Sequence, residues 1–117
     1  MAQEIYLTKI KENYINRTAI ILKPLQPFLD WYSTIEPGYV DDSSEVNTYL
    51  ISEDVDDVER WLKNRFDKLF SMELRDWYID PKRWPKKRTY VMFRQWFEVS
   101  VSSMVYDLES EPVSKEI

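Results

Sequence analysis

The stretch SEDVDDVERWLKNRFDKLFSMELRDWY, residues 52–78, decides how this chain folds. Val55, Val58, Trp61, Leu62, Phe66, Leu69 and Phe70 recur at spacings of three and four, which places them on one stripe of an α-helix. Acidic residues crowd the first turns, where the helix dipole favours negative charge, and Ser52 or Asp54 stands where an N-cap belongs. Glu59 precedes Lys63 by four residues and Asp56 precedes Arg60 by four, the favourable order for surface pairs. The pattern predicts a long amphipathic helix and leaves open whether it breaks near Ser71 or runs on to Trp77. Such a helix needs an apolar surface to lie on, and the flanking segments supply one.

Upstream, RTAIILK (17–23) is a β-branched apolar run stopped by Pro24, which predicts a strand buried on both faces. PLQPFLDWYSTIEPG follows, with Pro27 at a first helical position, Phe28, Trp31, Tyr32 and Ile35 at helical spacing, and Pro37-Gly38 as the stop. The acidic segment YVDDSSEVN reads as a loop, and TYLIS (48–52) as a second strand. Downstream, Asp80-Pro81 pairs an N-cap with a proline for a single turn that Pro85 ends, and Thr89 caps a further helix. EVSVSSMVYDL (98–108) reads as a last strand whose inward parity changes near Ser102 and Ser103, the mark of a bulge or of a change in the covered face.

The expected architecture is therefore one α+β domain over residues 1–117, in the order β-α-β-α-α-β. A small sheet of about three strands would be covered on one face by three or four helices. The last strand is the candidate for the sheet's centre, and the first crossover would be right-handed if the first two strands were parallel. Segments 1–15 and 109–117 are expected to be peripheral.

Composition narrows function by exclusion. The chain has 117 residues, no Cys, no His and a single Gly. Thiolate nucleophiles, disulfides, His-based triads and nearly all zinc, copper or haem sites are thereby removed, and Gly38 alone builds no phosphate-cradling loop. No residue set points to a metal or another cofactor, and no catalytic residue is assigned. Carboxylates, Lys, Tyr, Ser and Thr remain for chemistry, and Asp30, Asp76, Asp80 and Asp107 are the acids from which a fold could assemble a pair. The formal charge of −5 and pI near 4.8 disfavour general binding to nucleic acid. With no apolar run long enough to span a membrane and no signal-like amino terminus, a cytoplasmic protein without membrane contact is expected.

One stretch looks like a site. RWPKKRTYVMFRQWF (83–97) interleaves basic and aromatic side chains, as single-strand nucleic-acid surfaces do. On a helical wheel at about 100° per residue, however, Met92, Phe93, Trp96 and Phe97 share the half occupied by Tyr90, while Val91, Arg94 and Gln95 lie opposite. Core packing is the more economical reading of those rings, with Arg94 over the Tyr90 face. The stretch divides at Thr89, and only Arg83, Trp84, Lys86, Lys87 and Arg88 stay as a candidate contact. Arg83, Lys86, Lys87 and Arg88 would hold an anion, whereas the plainer alternative pairs them with acids of the long helix. The acid clusters Asp41, Asp42, Glu45 and Glu53, Asp54, Asp56, Asp57, Glu59 lack the ligand spacing and central Gly of a calcium loop, and the second is what a helix start attracts in any case.

NRTAIILKPLQPFLDW, DPKRWPKKRTYVMFRQWF and VYDLESEP together resemble an uncharacterised family of small bacterial single-domain proteins, over residues 16–112. The resemblance implies a stand-alone domain and no activity, substrate or site residue. The leading functional expectation is a non-catalytic protein-interaction or regulatory domain that binds a protein partner or a second copy of itself. Its contacts would come from exposed rings among Trp31, Tyr32, Trp77, Tyr78 and Trp84. Anion or nucleic-acid binding through 82–88, and a carboxylate-dependent hydrolase or metal-dependent enzyme, are the alternatives. The last of these requires at least two of the named acids in one pocket.

Overall fold

A computed structural model describes residues 13–40 and 45–116. It is an α+β domain with two antiparallel sheets. Strands β1 (Tyr14–Ile15), β2 (Arg17–Pro24), β3 (Asn47–Ser52), β4 (Phe97–Ser102) and β5 (Val105–Tyr106) and helices α1 (Gln26–Ser33), α2 (Val58–Trp77) and α3 (Tyr90–Trp96) follow the order β1-β2-α1-β3-α2-α3-β4-β5. A 3₁₀ turn, Pro81–Arg83, lies between α2 and α3.

The main sheet has the order β3-β2-β4, so β2 rather than the last strand is its centre. The reason is legible in β2 itself. A strand paired on both edges suits an apolar run, and Ile20 and Leu22 on the helix-covered face are buried together with Ala19 on the other, where Ile21 is half-buried. In β4, Val99 and Val101 alternate with Ser100 and Ser102, as suits an edge. Both pairings of β2 are antiparallel, so the question of a right-handed parallel crossover does not arise.

The expected last strand is cut in two. Ser102 Oγ donates to the Met104 carbonyl at 3.0 Å, a local bond that competes with the ladder. The chain then leaves the main sheet, and β5 pairs with β1 through Tyr14–Tyr106 and Ile15–Val105. The parity change near Ser102 and Ser103 is this change of sheet.

Helix α2 runs unbroken through Ser71 to Trp77, some 30 Å of rod. Its N-cap is Asp57, whose carboxylate accepts from the Arg60 N–H at 3.0 Å, instead of Ser52 or Asp54. Ser52 serves an earlier turn, accepting from the Asp54 N–H at 3.2 Å, while Val55 packs against the core before the helix begins. Asp80 and Thr89 cap the elements that follow them, as their spacing predicts.

The three helices cover the face of the sheet that carries Ile20, Leu22, Ile51 and Phe97, joined there by Phe28, Leu62, Leu69, Phe70, Leu74 and Phe93. Much of this core is aromatic. Phe28 lies against Trp77 and Phe97 with ring centroids 5.2 and 5.3 Å apart, and Phe97 meets Phe70 and Phe93 at 5.3 Å each. Phe97 ends α3 and opens β4 with no loop between them, so the face of α3 that carries its rings is pinned to the sheet. No helix among the described residues is long and apolar enough to cross a membrane.

Candidate functional site

The basic turn is held by its own chain. Trp84 Nε1 donates to the Tyr78 carbonyl at 2.7 Å, and Trp31 Nε1 reaches from α1 to the Arg83 carbonyl at 2.8 Å. The Arg83 guanidinium donates to the Thr34 carbonyl at 3.0 Å, satisfying a group at the end of α1. Arg88 grips Asp67 of α2 through Nε at 2.7 Å and Nη2 at 3.3 Å, and also donates to the Pro85 carbonyl and to Ser71 Oγ. Two of the four candidate anion ligands, Arg83 and Arg88, therefore act as structural ties. Lys86 and Lys87 are exposed, and Lys86 shares a shallow depression with Lys82, Trp84 and the two prolines.

In α3 the rings face the core. Phe93 is fully buried, Val91 is exposed, and the Arg94 guanidinium lies 5.9 Å from the centre of the Tyr90 ring. Arg94 also donates to Glu59 at 2.8 Å and to the Tyr90 hydroxyl at 2.8 Å, while that hydroxyl donates to Glu59 at 2.7 Å. Glu59 is thus paired across to α3. The Tyr90 hydroxyl, with the Arg94 charge behind it, holds its carboxyl below the usual carboxylate range.

Most of the candidate acids have local duties. Asp30 accepts from Gln26 Nε2 at 2.8 Å, Asp80 caps the 3₁₀ turn, and Asp107 accepts from the Glu109 N–H at 2.9 Å. Asp41 and Asp42 lie outside the described residues. Among the described residues no group of His, Cys, Asp and Glu side chains is arranged to hold a metal ion.

Asp76 is different, because the register of β3 and the pitch of α2 combine around it. Asn47 stands opposite Leu22 and Tyr49 opposite Ile20, so both side chains take the sheet face that α2 covers. On α2, Glu73 and Asp76 are three residues apart and share a side of the helix. Where the two elements cross, Asn47 Nδ2 donates to Glu73 Oε2 at 2.6 Å and to Asp76 Oδ2 at 3.0 Å, one amide bridging both carboxyl groups. The Tyr49 hydroxyl donates a short hydrogen bond to the same Glu73 oxygen.

Asn47, Glu73 and Asp76 line a cleft of about 300 Å³ between α1, β3 and the end of α2, together with Glu45, Pro24, Tyr32, Tyr39 and Trp77. Tyr32, Tyr39 and Trp77 stand edge to face with centroids 5.0 to 5.6 Å apart. Rings so spaced touch one another, so they form a wall to the cleft and leave no room for a guest between them.

Glu73 is only 1% exposed. Burial drives its carboxyl above the ordinary range and the nearby Asp76 pushes the same way, while the bonds from Tyr49 and Asn47 oppose the shift. Tyr49 is driven far up as well, by burial and then by its bond to Glu73. A carboxyl group in this setting can stabilise a cation or hold a proton for transfer, and the arrangement is able to do either.

Glu45 and Asp76, both named from the sequence, meet in this cleft, whereas Asp30, Asp80 and Asp107 do not line it. Of the candidate interaction rings, Tyr32 and Trp77 join its wall, while Trp31 and Trp84 are committed to the basic turn and Tyr78 follows the end of α2. Glu73, Asn47 and Tyr49 were not identified from the sequence. A signal existed for Glu73, which falls four after Leu69, three after Phe70 and four before Trp77, on the apolar stripe of α2.

Comparison with protein-family models, with curated proteins and with solved structures finds no match.

Proposed function

We propose that this chain is a non-catalytic interaction domain that receives a basic side chain of a protein partner in the cleft between α1, β3 and α2. The observation that carries the reading is the placement of Glu73, buried yet lining a cleft that also holds Asp76 and Glu45 beside an aromatic wall. An ammonium or guanidinium group entering there exchanges water for carboxylates and ring faces, the combination that favours cations when partly desolvated. The cleft sits at the low end of ligand-pocket volumes, roughly 300 Å³ and above, and suits one side chain better than a large cofactor. Of the five tryptophans only Trp77 is part of the wall, so its share of the chain's fluorescence is the one expected to change on occupancy.

The experiment is a fluorescence titration of the full chain with tri-lysine and tri-arginine peptides, using tri-glutamate as the control. Saturable binding that is lost in Asp76→Asn and in Glu73→Gln, and kept in the remote Glu111→Gln, supports the reading. No binding, or equal loss in Glu111→Gln, overturns it and leaves only the general attraction of an acidic chain for cations.

A second reading is favoured by one observation, the upward-shifted carboxyl of Glu73 beside the carboxyl of Asp76. Such a pair is the equipment of a carboxylate-dependent hydrolase, with Glu73 as general acid. Turnover of aryl glycosides that disappears in Glu73→Gln would establish it, and its absence across the panel would remove it. Anion binding through the basic turn has less support, since Arg83 and Arg88 are engaged elsewhere and only Lys82, Lys86 and Lys87 are left to carry it.

A further inference from the structure

A separate feature lies on the outer side of β3. Among the described residues β3 pairs only with β2, so every second residue turns a backbone N–H and C=O outward at the sheet's edge. Neither Pro nor a charged residue blunts the edge along NTYLIS. Between it and α2 runs an apolar groove of about 240 Å³, lined by Leu50, Ile51, Trp61, Leu69 and Met72 and rimmed by Arg65 and Lys68. Arg65 rests over the Trp61 ring at 5.3 Å. An unpaired strand edge next to an apolar groove is the geometry that accepts an added strand.

The rim selects the occupant. Two β3 strands from two copies pairing edge to edge would bring Arg65 and Lys68 of both copies together, and like charges so placed oppose docking. An acidic extended segment is the complement, and this chain carries one beyond β5. Asp107 is tied by its N–H to the Asn13 carbonyl, whereas residues 108–116 have no helix or strand, and Leu108 and Val113 are 80% and 78% exposed. In an extended conformation Glu109 and Glu111 share one face and Leu108 takes the other, ahead of Pro112, which cannot donate to a ladder. Added beside β3, such a strand turns Glu109 and Glu111 toward Arg65 and Lys68 and sets Leu108 next to Leu50, itself 49% exposed.

We propose that the edge of β3 and the groove beneath it bind the acidic segment 108–111 of a second copy of this chain by strand addition, which replaces the local bond from the Glu109 N–H to Asp107. The proposal does not rest on the reading of the cleft around Glu73, although Tyr49 lines the groove as well as donating to Glu73. Sedimentation velocity of the full chain over a concentration series, at low and at high salt, tests it together with charge exchange. The expected result is self-association that weakens with salt, falls about tenfold or more in the double variant Arg65→Glu, Lys68→Glu, and returns when that variant is mixed with a Glu109→Lys, Glu111→Lys chain. Arg65, Lys68, Glu109 and Glu111 are all exposed, so these variants keep the core intact. A chain that stays monomeric at millimolar concentration, or association that the charge exchange does not rescue, overturns the proposal. Association through β3 with no dependence on Glu109 and Glu111 also overturns it, in favour of another occupant.

Discussion

The hydroxyl of Tyr49, on the outer strand of the sheet, donates to the carboxylate of Glu73 on the helix above it, in a contact that takes Glu73 out of water. Burial raises the Glu73 carboxyl above its ordinary value of 4.5. An acid whose folded value is raised favours folding while protonated and costs stability as it ionises. The cost is absent below the unfolded value, grows as pH rises above 4.5, and levels off above the raised folded value. Glu73→Gln, which retains an acceptor for Tyr49 and Asn47, is expected to remove this loss, so the stability difference between the variant and the native chain grows with pH across that window. Urea denaturation from pH 4 to pH 8 measures it. A difference independent of pH would show that Glu73 ionises as freely in the folded chain as in the unfolded one.

Glu59 has the opposite sign. Its carboxyl is held down by the Tyr90 hydroxyl and the Arg94 guanidinium, so its contribution is present above 4.5 and is lost as pH falls through the lowered folded value. The site is exposed and salt screens it. The Tyr90→Phe variant, measured on the acid side, is expected to shift the acid limb of the stability curve toward higher pH, and an unmoved limb would contradict the pairing.

Arg88 ties the basic turn to α2 through Asp67, Ser71 and the Pro85 carbonyl, and its side chain is 18% exposed against 56% for Asp67. Arg88→Ala is expected to cost about 1–2 kcal/mol, above the usual worth of a surface pair because a backbone carbonyl loses its donor as well. Arg88→Lys recovers only part, since a single ammonium does not reproduce the fork. Denaturant midpoints decide the matter, and a neutral Arg88→Ala would mean that the turn is held by Trp84 and Trp31 alone.

Phe28 touches α2, α3 and β4 at once through Trp77, Trp96 and Phe97. Phe28→Ala is expected to cost about 3–5 kcal/mol, a large share of the 5–15 kcal/mol typical of a domain. Val91→Ala on the exposed side of α3 is expected to change stability by less than about 0.5 kcal/mol. A loss at Val91 as large as that at Phe28 would refute the exposed placement of Val91 on α3.

Thr89 supplies the cap of a helix of only seven residues, accepting from the Met92 N–H at 3.1 Å. Thr89→Ala is expected to cost about 1 kcal/mol, and Thr89→Asp or Thr89→Ser to restore most of it. Thermal melts of the three variants provide the comparison.

By itself the sequence determined the local decisions. Periodicity in 52–78 specified α2 and its buried stripe, Pro27, Asp80-Pro81 and Thr89 placed the starts of elements, and the wheel around Tyr90 separated the rings of α3 from Arg94. These are properties of neighbours along the chain, set by dihedral preference, capping and helical spacing. The tertiary structure alone decided what depends on register. It put β2 at the centre of the sheet, sent β5 to pair with β1, and bound Arg83 and Arg88 to their own chain as ties. It also brought Asn47 and Tyr49 over Glu73 and Asp76, although 24 residues separate Tyr49 from Glu73. Periodicity says which face a residue takes on its own element, and only the pairing of strands and the seating of α2 on the sheet say which two faces meet.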